Sequence, residues 1–205
     1  MRRIGKKNLI KHVFNRIKKQ FDHLYWSKIL HSIGKTSIIE RPVSIVDGKD
    51  ISIGERCDIR KNCQMQAIKE YGDKEFSPML SIGDDFFCGQ NTHIVATGSL
   101  RIGNGVTISD NVFVTDCYHE YADYGKSVLR QPLSRCDTEI GDACFIGYGA
   151  VIEAGVRLGK VCVVGSNAVV LRGDYPDGTV LVGVPAIQVK KYDNKTRQWK
   201  GCPKS

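Results

Sequence analysis

One histidine stands in chemically dense company. The stretch Thr115-Asp116-Cys117-Tyr118-His119-Glu120-Tyr121 sets an imidazole among carboxylates and beside a thiol, and the run on to Glu139 adds further acids and a third tyrosine. Imidazole takes and returns a proton near neutrality, so His119 is the candidate general base. A carboxylate on its other ring nitrogen would fix the tautomer; Asp116 and Glu120 are the candidates, and chain order does not choose between them. The competing reading of the same residues is a solvated loop histidine among surface acids. Other chemistries find no support in the pattern. There is no glycine-rich phosphate loop or dinucleotide fingerprint, and none of the eight cysteines forms a C-x-x-C pair, so no metal site is expected.

The elements that position this loop follow from a repeat. Aliphatic residues recur at every sixth position, commonly followed by Gly: Ile33, Ile39, Ile45; Ile53, Ile59, Met65; Ile82, Cys88, Ile94; Ile102, Ile108, Val114; Ile140, Ile146, Ile152; Leu158, Val164, Val170. Four residues after each, a second column is small or β-branched, as at Cys57, Cys63, Thr92, Val106, Val112, Cys144, Ala150, Val156, Cys162 and Ala168. A period of 3.6 cannot generate this register. One large and one small inward side chain per six residues describes a triangular coil of short strands, three hexads to a turn, which buries its columns only when turns stack. About six coils result, in a mainly β protein. The spacing between coil starts leaves two insertions, near residues 68–79 and 115–139, and loops on a rigid scaffold are where chemistry is placed.

The hexads, as in Ile140-Gly-Asp-Ala-Cys-Phe-Ile146-Gly-Tyr-Gly-Ala-Val-Ile152, resemble the hexapeptide-repeat acyltransferases. That resemblance implies a left-handed parallel β-helix over residues 33–189, a hand that periodicity does not reveal. The segment 115–121, followed by Gln131-Pro132-Leu133, is similar to the Asp-His-x-His loop of the sugar O-acetyltransferases of polysaccharide biosynthesis and to the galactoside and maltose acetyltransferases. In those families the second histidine is the catalytic base, and it falls on His119; the first is replaced by Cys117. The resemblance further implies acetyl-CoA as acyl donor. Gly147, Tyr148 and Ser166 match positions along the pantetheine arm, and Arg172 and Lys190 match basic positions at the nucleotide phosphates, against the alternative of solvated surface charge. One further basic position of the galactoside enzymes is Ile187 here. Asn91 matches an asparagine that contacts the sugar, against the alternative of a corner residue with left-handed backbone angles. Asp84 is a second candidate to line the acceptor groove, against a hydrophilic corner role.

The termini differ in kind. Residues 1–35 carry ten lysines and arginines against the single acid Asp22, residues 190–205 carry six against Asp193, and the stretch between carries 14 against 20. The net charge of +8 therefore sits at the two ends of an acidic body, which argues against nucleic acid as partner. Across residues 9–30, Leu9, Ile10, Val13, Phe14, Ile17, Phe21, Leu24 and Tyr25 fall at helical spacing among lysines. Residues 1–32 thus read as a basic amphipathic helical segment that caps the first coil or, through residues 1–30, rests on an anionic membrane surface. Residues 190–205 read as a basic tail or short helix.

With no spanning segment and no signal-peptide core, a cytoplasmic protein is expected, or one peripheral at the inner face of a membrane. The expected activity is acetyl-CoA-dependent O-acetylation of a sugar hydroxyl in surface polysaccharide (O-antigen or capsule) synthesis. The acceptor would be a sugar, a nucleotide-sugar or a lipid-linked glycan, and the enzyme a homotrimer with sites between neighbouring β-helices. The alternatives are N-acetylation of a nucleotide-linked amino sugar and a non-catalytic hexapeptide-repeat scaffold.

Overall fold

The computed structural model describes residues 22–202. Strands of two to four residues wind into three sheets of seven, seven and six parallel strands, forming the sides of a left-handed β-helix, and two antiparallel strands extend the second sheet to nine. The aliphatic columns stack in register. In the first sheet Ile33 pairs with Ile53, Ile53 with Ile82, Ile82 with Ile102, Ile102 with Ile140 and Ile140 with Leu158. The second sheet aligns Ile39, Ile59, Cys88, Ile108, Ile146 and Val164. The third aligns Ile45, Met65, Ile94, Val114, Ile152 and Val170. All ten residues of the small column are buried, cysteines included, and each enclosed aliphatic side chain contributes about 1.5–3 kcal/mol. Eight free thiols result, five of them in the core.

The corners explain the interleaved Gly and Asn. A Cβ on Gly141 would stand 2.6 Å from the carbonyl carbon of Gly159 in the next coil, so any side chain there would push the coils apart. At the corner between the second and third sheets, Asn62, Asn91, Asn111 and Asn167 hold φ between 55° and 65°, the left-handed region Asn tolerates.

Three features differ from the sequence expectation. A seventh, incomplete coil follows the sixth: Gly173–Tyr175 extends the first sheet and Thr179–Val182 the second, with Tyr175 paired to Leu158 and Leu181 to Val164. Its register is hidden in the sequence because Val170 and Tyr175 are five residues apart rather than six. The C-terminal segment is not a helix or free tail. Ile187–Asp193 turns back antiparallel on the second sheet, and Gln198–Gly201 pairs with it as a hairpin. At the other end, residues 22–29 form a helix whose Trp26, with Leu30 just after it, enters the core above the first coil. Leu24 and Tyr25, read as its apolar face, are exposed, and Tyr25 instead packs beside Trp26 and under the Arg41 guanidinium. The rest of the amphipathic pattern, over residues 9–21, lies outside the described residues. No helix among the described residues is long and apolar enough to cross a membrane.

Candidate active site

Both insertions leave the same corner, where the third sheet hands the chain to the first, and a single bare corner, at Thr97 and Gly98, lies between them. The shorter is a tight antiparallel hairpin, Glu70–Tyr71 against Lys74–Glu75, turning at Gly72 with φ 59°. The longer starts and ends as a second hairpin, Cys117–His119 against Leu133–Arg135, bridged by a loop with a 3-10 turn at Val128–Arg130. Buried Gln131 clips that loop: its Oε1 accepts from Asp123 N–H at 3.0 Å, and its amide donates to the carbonyls of Asp123 at 3.2 Å and Lys126 at 2.9 Å. This amide and backbone bonds such as Glu120 N–H to the Pro132 carbonyl together shape the excursion of residues 120–132.

Asp116 has a different job from the one its position suggests. It is fully buried, Oδ1 accepting from Thr97 N–H at 2.7 Å and Thr97 Oγ1 at 3.0 Å, and Oδ2 from Gly98 N–H at 2.8 Å. Burial raises its pKa while these three donors pull it down. The side chain staples the root of the long insertion to the bare corner of the preceding coil. Thr138 repeats the device from the other root, donating to the Thr115 carbonyl at 2.9 Å and accepting from Gly155 N–H at 3.0 Å. Glu120 is engaged too: its Oε1 accepts from the Ser134 hydroxyl. Neither carboxylate holds the imidazole, which corrects the expectation for both. Burial pushes the Cys117 thiol up, and its sulfur lies 3.4 Å from Thr115 Oγ1.

His119 projects exposed from its strand, and what it meets is an aromatic ring. The Tyr71 ring lies 5.2 Å from the imidazole, centroid to centroid, with the planes at 71°. The Tyr71 hydroxyl donates to the Leu129 carbonyl at 3.0 Å. Residue 71 was absent from the sequence candidates, although the insertion carrying it was legible. An open groove of about 460 Å³ runs between the two hairpins, lined by Lys74, Glu75, Phe76, Ser77, Ser134, Arg135 and Leu133, the strand partner of His119. Its mixed charges and hydroxyls suit a polar ligand rich in hydrogen-bonding groups.

The remaining candidates occupy other corners. Asp84 sits where the first sheet meets the second; its Oδ1 accepts from Glu55 N–H at 2.9 Å and its Oδ2 lies 3.4 Å from Arg56. That is a corner cap, remote in the fold from His119, and it corrects the acceptor reading of Asp84. Asn91 is at the corner of the second and third sheets, where its Nδ2 donates to Asn111 Oδ1 at 3.0 Å. Gly147 and exposed Tyr148 share that corner two coils below and exposed Ser166 three coils below, and a Cβ on Gly147 would stand 2.6 Å from Ser166 N. Arg172 lies instead below the long insertion at the corner of the third and first sheets, its side chain against Gly155. Lys190 is on the C-terminal hairpin, paired with Val180. Within one chain, then, His119 and Arg172 share one edge of the third sheet while Asn91, Gly147, Tyr148 and Ser166 share the other. Among the described residues no group of three His, Cys, Asp or Glu gathers as metal ligands would.

Known proteins carry the same pattern. Residues 137–172 match the model of the bacterial transferase hexapeptide (six repeats). The chain is 31% identical over 169 residues to the putative lipopolysaccharide biosynthesis O-acetyl transferase WbbJ of Escherichia coli K12, covering 79% of this chain and 82% of that protein. Among solved structures, AntD, an N-acyltransferase from Bacillus cereus in complex with dTDP and 3-hydroxybutyryl-CoA, superposes with a TM-score of 0.68 at 19% identity, over 84% of this chain and 89% of that one. The hexapeptide-repeat acetyltransferase VCA0836 of Vibrio cholerae, complexed with acetyl-CoA, superposes with a TM-score of 0.55 at 21% identity, over 93% and 92%.

Proposed function

The chain belongs to the hexapeptide-repeat acyltransferases, and from that premise we propose that it transfers an acetyl group from acetyl-CoA to a sugar hydroxyl in the synthesis of a surface polysaccharide. The observation that carries the reading is His119, held out into solvent by a hairpin rooted through Asp116 and Thr138, beside a polar groove. Its likeness to the lipopolysaccharide enzyme favours an oxygen acceptor over the amine of a nucleotide-linked amino sugar. A scaffold subunit would have no use for the two insertions at one corner.

The mechanism is a direct transfer. A neutral imidazole nitrogen of His119 accepts the proton of the acceptor hydroxyl as that oxygen forms a bond to the thioester carbonyl carbon. Negative charge gathers on the former carbonyl oxygen, where backbone N–H groups of the coil edge offset it. The C–S bond then breaks, the acetyl ester remains on the sugar, and the imidazolium returns its proton to the leaving thiolate, giving free CoA. A neutral thiol leaves, so no charge is stranded.

The two edges of the third sheet support a homotrimer with shared sites. On the outer face of that sheet His93, Phe113, Val151 and Val169 stack in register as a half-buried, largely apolar ladder. The first sheet instead shows water the alternating ladder Arg101, Glu139, Arg157 and Asp174. Packing third sheets around a threefold axis would cover the apolar ladder. It would also bring the edge bearing His119 and Arg172 of one protomer to the edge bearing Asn91, Gly147, Tyr148 and Ser166 of the next, with Lys190 on the flanking hairpin as a phosphate contact. Asn91 would contact the acceptor, while the CoA contacts line the lower coils.

The deciding measurement is CoA release from acetyl-CoA in the presence of acceptors. Turnover by His119→Ala should fall by about 10²–10⁴-fold, and unchanged turnover would refute the base assignment. A panel of free sugars, nucleotide-sugars and lipid-linked oligosaccharides identifies the acceptor.

A further inference from the structure

We propose that Tyr71, carried by the first insertion, is the positioning residue that restricts the His119 imidazole, to which neither Asp116 nor Glu120 is bound. The inference rests on the reading of His119 as base. Three observations carry it. The imidazole lacks an acidic partner among the described residues, because both Asp116 oxygens are bound at the coil corner and Glu120 is bound to Ser134. The Tyr71 ring packs at 71° to the imidazole with 5.2 Å between centroids, the tilted geometry aromatic pairs prefer. The Tyr71 hydroxyl is fixed on the Leu129 carbonyl at 3.0 Å, which ties the first insertion to the far limb of the second.

Each observation alone is ordinary packing; together they form a bracket around one exposed side chain. An exposed histidine samples its rotamers freely, and a base that wanders loses the benefit of proximity. A ring beside the imidazole removes rotamers that Tyr71 occupies, and the Leu129 bond keeps that ring from moving away. The antiparallel pairing of Tyr71 with Lys74 makes the same hairpin a wall of the groove, so the residue that orients the base also belongs to the element bordering the acceptor. No role in proton transfer is needed for the tyrosine hydroxyl, which already donates to a carbonyl.

The test separates orientation from folding and from the base assignment. Tyr71→Ala should lower kcat by about 10- to 100-fold while KM for acetyl-CoA stays within about twofold, since the lower coils are untouched. Tyr71→Phe retains the ring and loses only the Leu129 bond, and should restore most of the rate. The His119 ring-proton resonance, assigned by its loss in His119→Ala, should shift in Tyr71→Ala and remain near its original position in Tyr71→Phe; this reports the contact whether or not acetyl transfer occurs. A Tyr71→Ala enzyme with kcat within about twofold of the original, alongside an inactive His119→Ala, overturns the positioning role and leaves the base standing. An active His119→Ala overturns the base, and the positioning role with it. An unmoved His119 resonance in Tyr71→Ala overturns the contact itself.

Discussion

At the residue scale, the site separates side chains that touch chemistry from side chains that hold the backbone still. His119 is exposed on a strand; Asp116, three residues earlier, is sealed in the corner with both carboxylate oxygens bound to Thr97 and Gly98. Asp116→Asn tests this division. Its amide would turn a donor toward Gly98 N–H or Thr97 N–H and leave that buried group unpaired, at a cost of about 1–3 kcal/mol in chemical denaturation. If stability were unchanged while kcat collapsed, Asp116 would be part of the catalytic machinery after all. Sequence adjacency misleads here for a simple reason. Asp116 occupies the bend between the coil strand Phe113–Thr115 and the hairpin strand Cys117–His119, so neighbours in a motif need not be neighbours in a site. Asn91 shows the converse: its φ of 57° and its bond to Asn111 account for its presence at a corner, and a contact with acceptor would be an additional duty.

At the element scale, the hexads build rigid sides and the insertions supply the exceptions. The C-terminal hairpin is an exception of another kind, joining the coil through antiparallel pairing that no repeat announces. Its turn is held by Asp193, whose carboxyl is kept down at about 2 chiefly by the Lys200 ammonium, with help from the backbone N–H groups of Thr196 and Lys195. A depressed folded-state value means a contribution that is complete above the ordinary range, near 3.8, and is lost as pH falls through about 2. Between those limits the hairpin should loosen, separating Trp199 from Tyr192, whose rings lie 5.3 Å apart. Trp199 fluorescence should report an acid transition in this window in the native protein. Asp193→Asn should lack that transition, and an identical acid limb in the variant would show that the carboxylate does not hold the turn.

At the scale of the whole molecule, one protomer carries half of the proposed site on each edge of the third sheet. The shared-site arrangement predicts complementation. His119→Ala and Ser166→Trp variants should each be inactive alone, the second by filling the opposite corner. Refolded together in equal amounts they should recover about a quarter of the original activity, the fraction of contacts at which two intact edges meet in a random mixture. No recovery, or a monomer by light scattering, would refute the shared site. The sequence by itself determined the coil, its columns, the two insertions and the identity of His119 as the candidate base. A six-residue period admits one way of burying its side chains, and an insertion shows as a break in that period. It could not reveal that Tyr71 closes on His119 or that Asp116 is committed to the coil. Those facts depend on which turn of the helix lies above which, a long-range juxtaposition that only the stacked coils create.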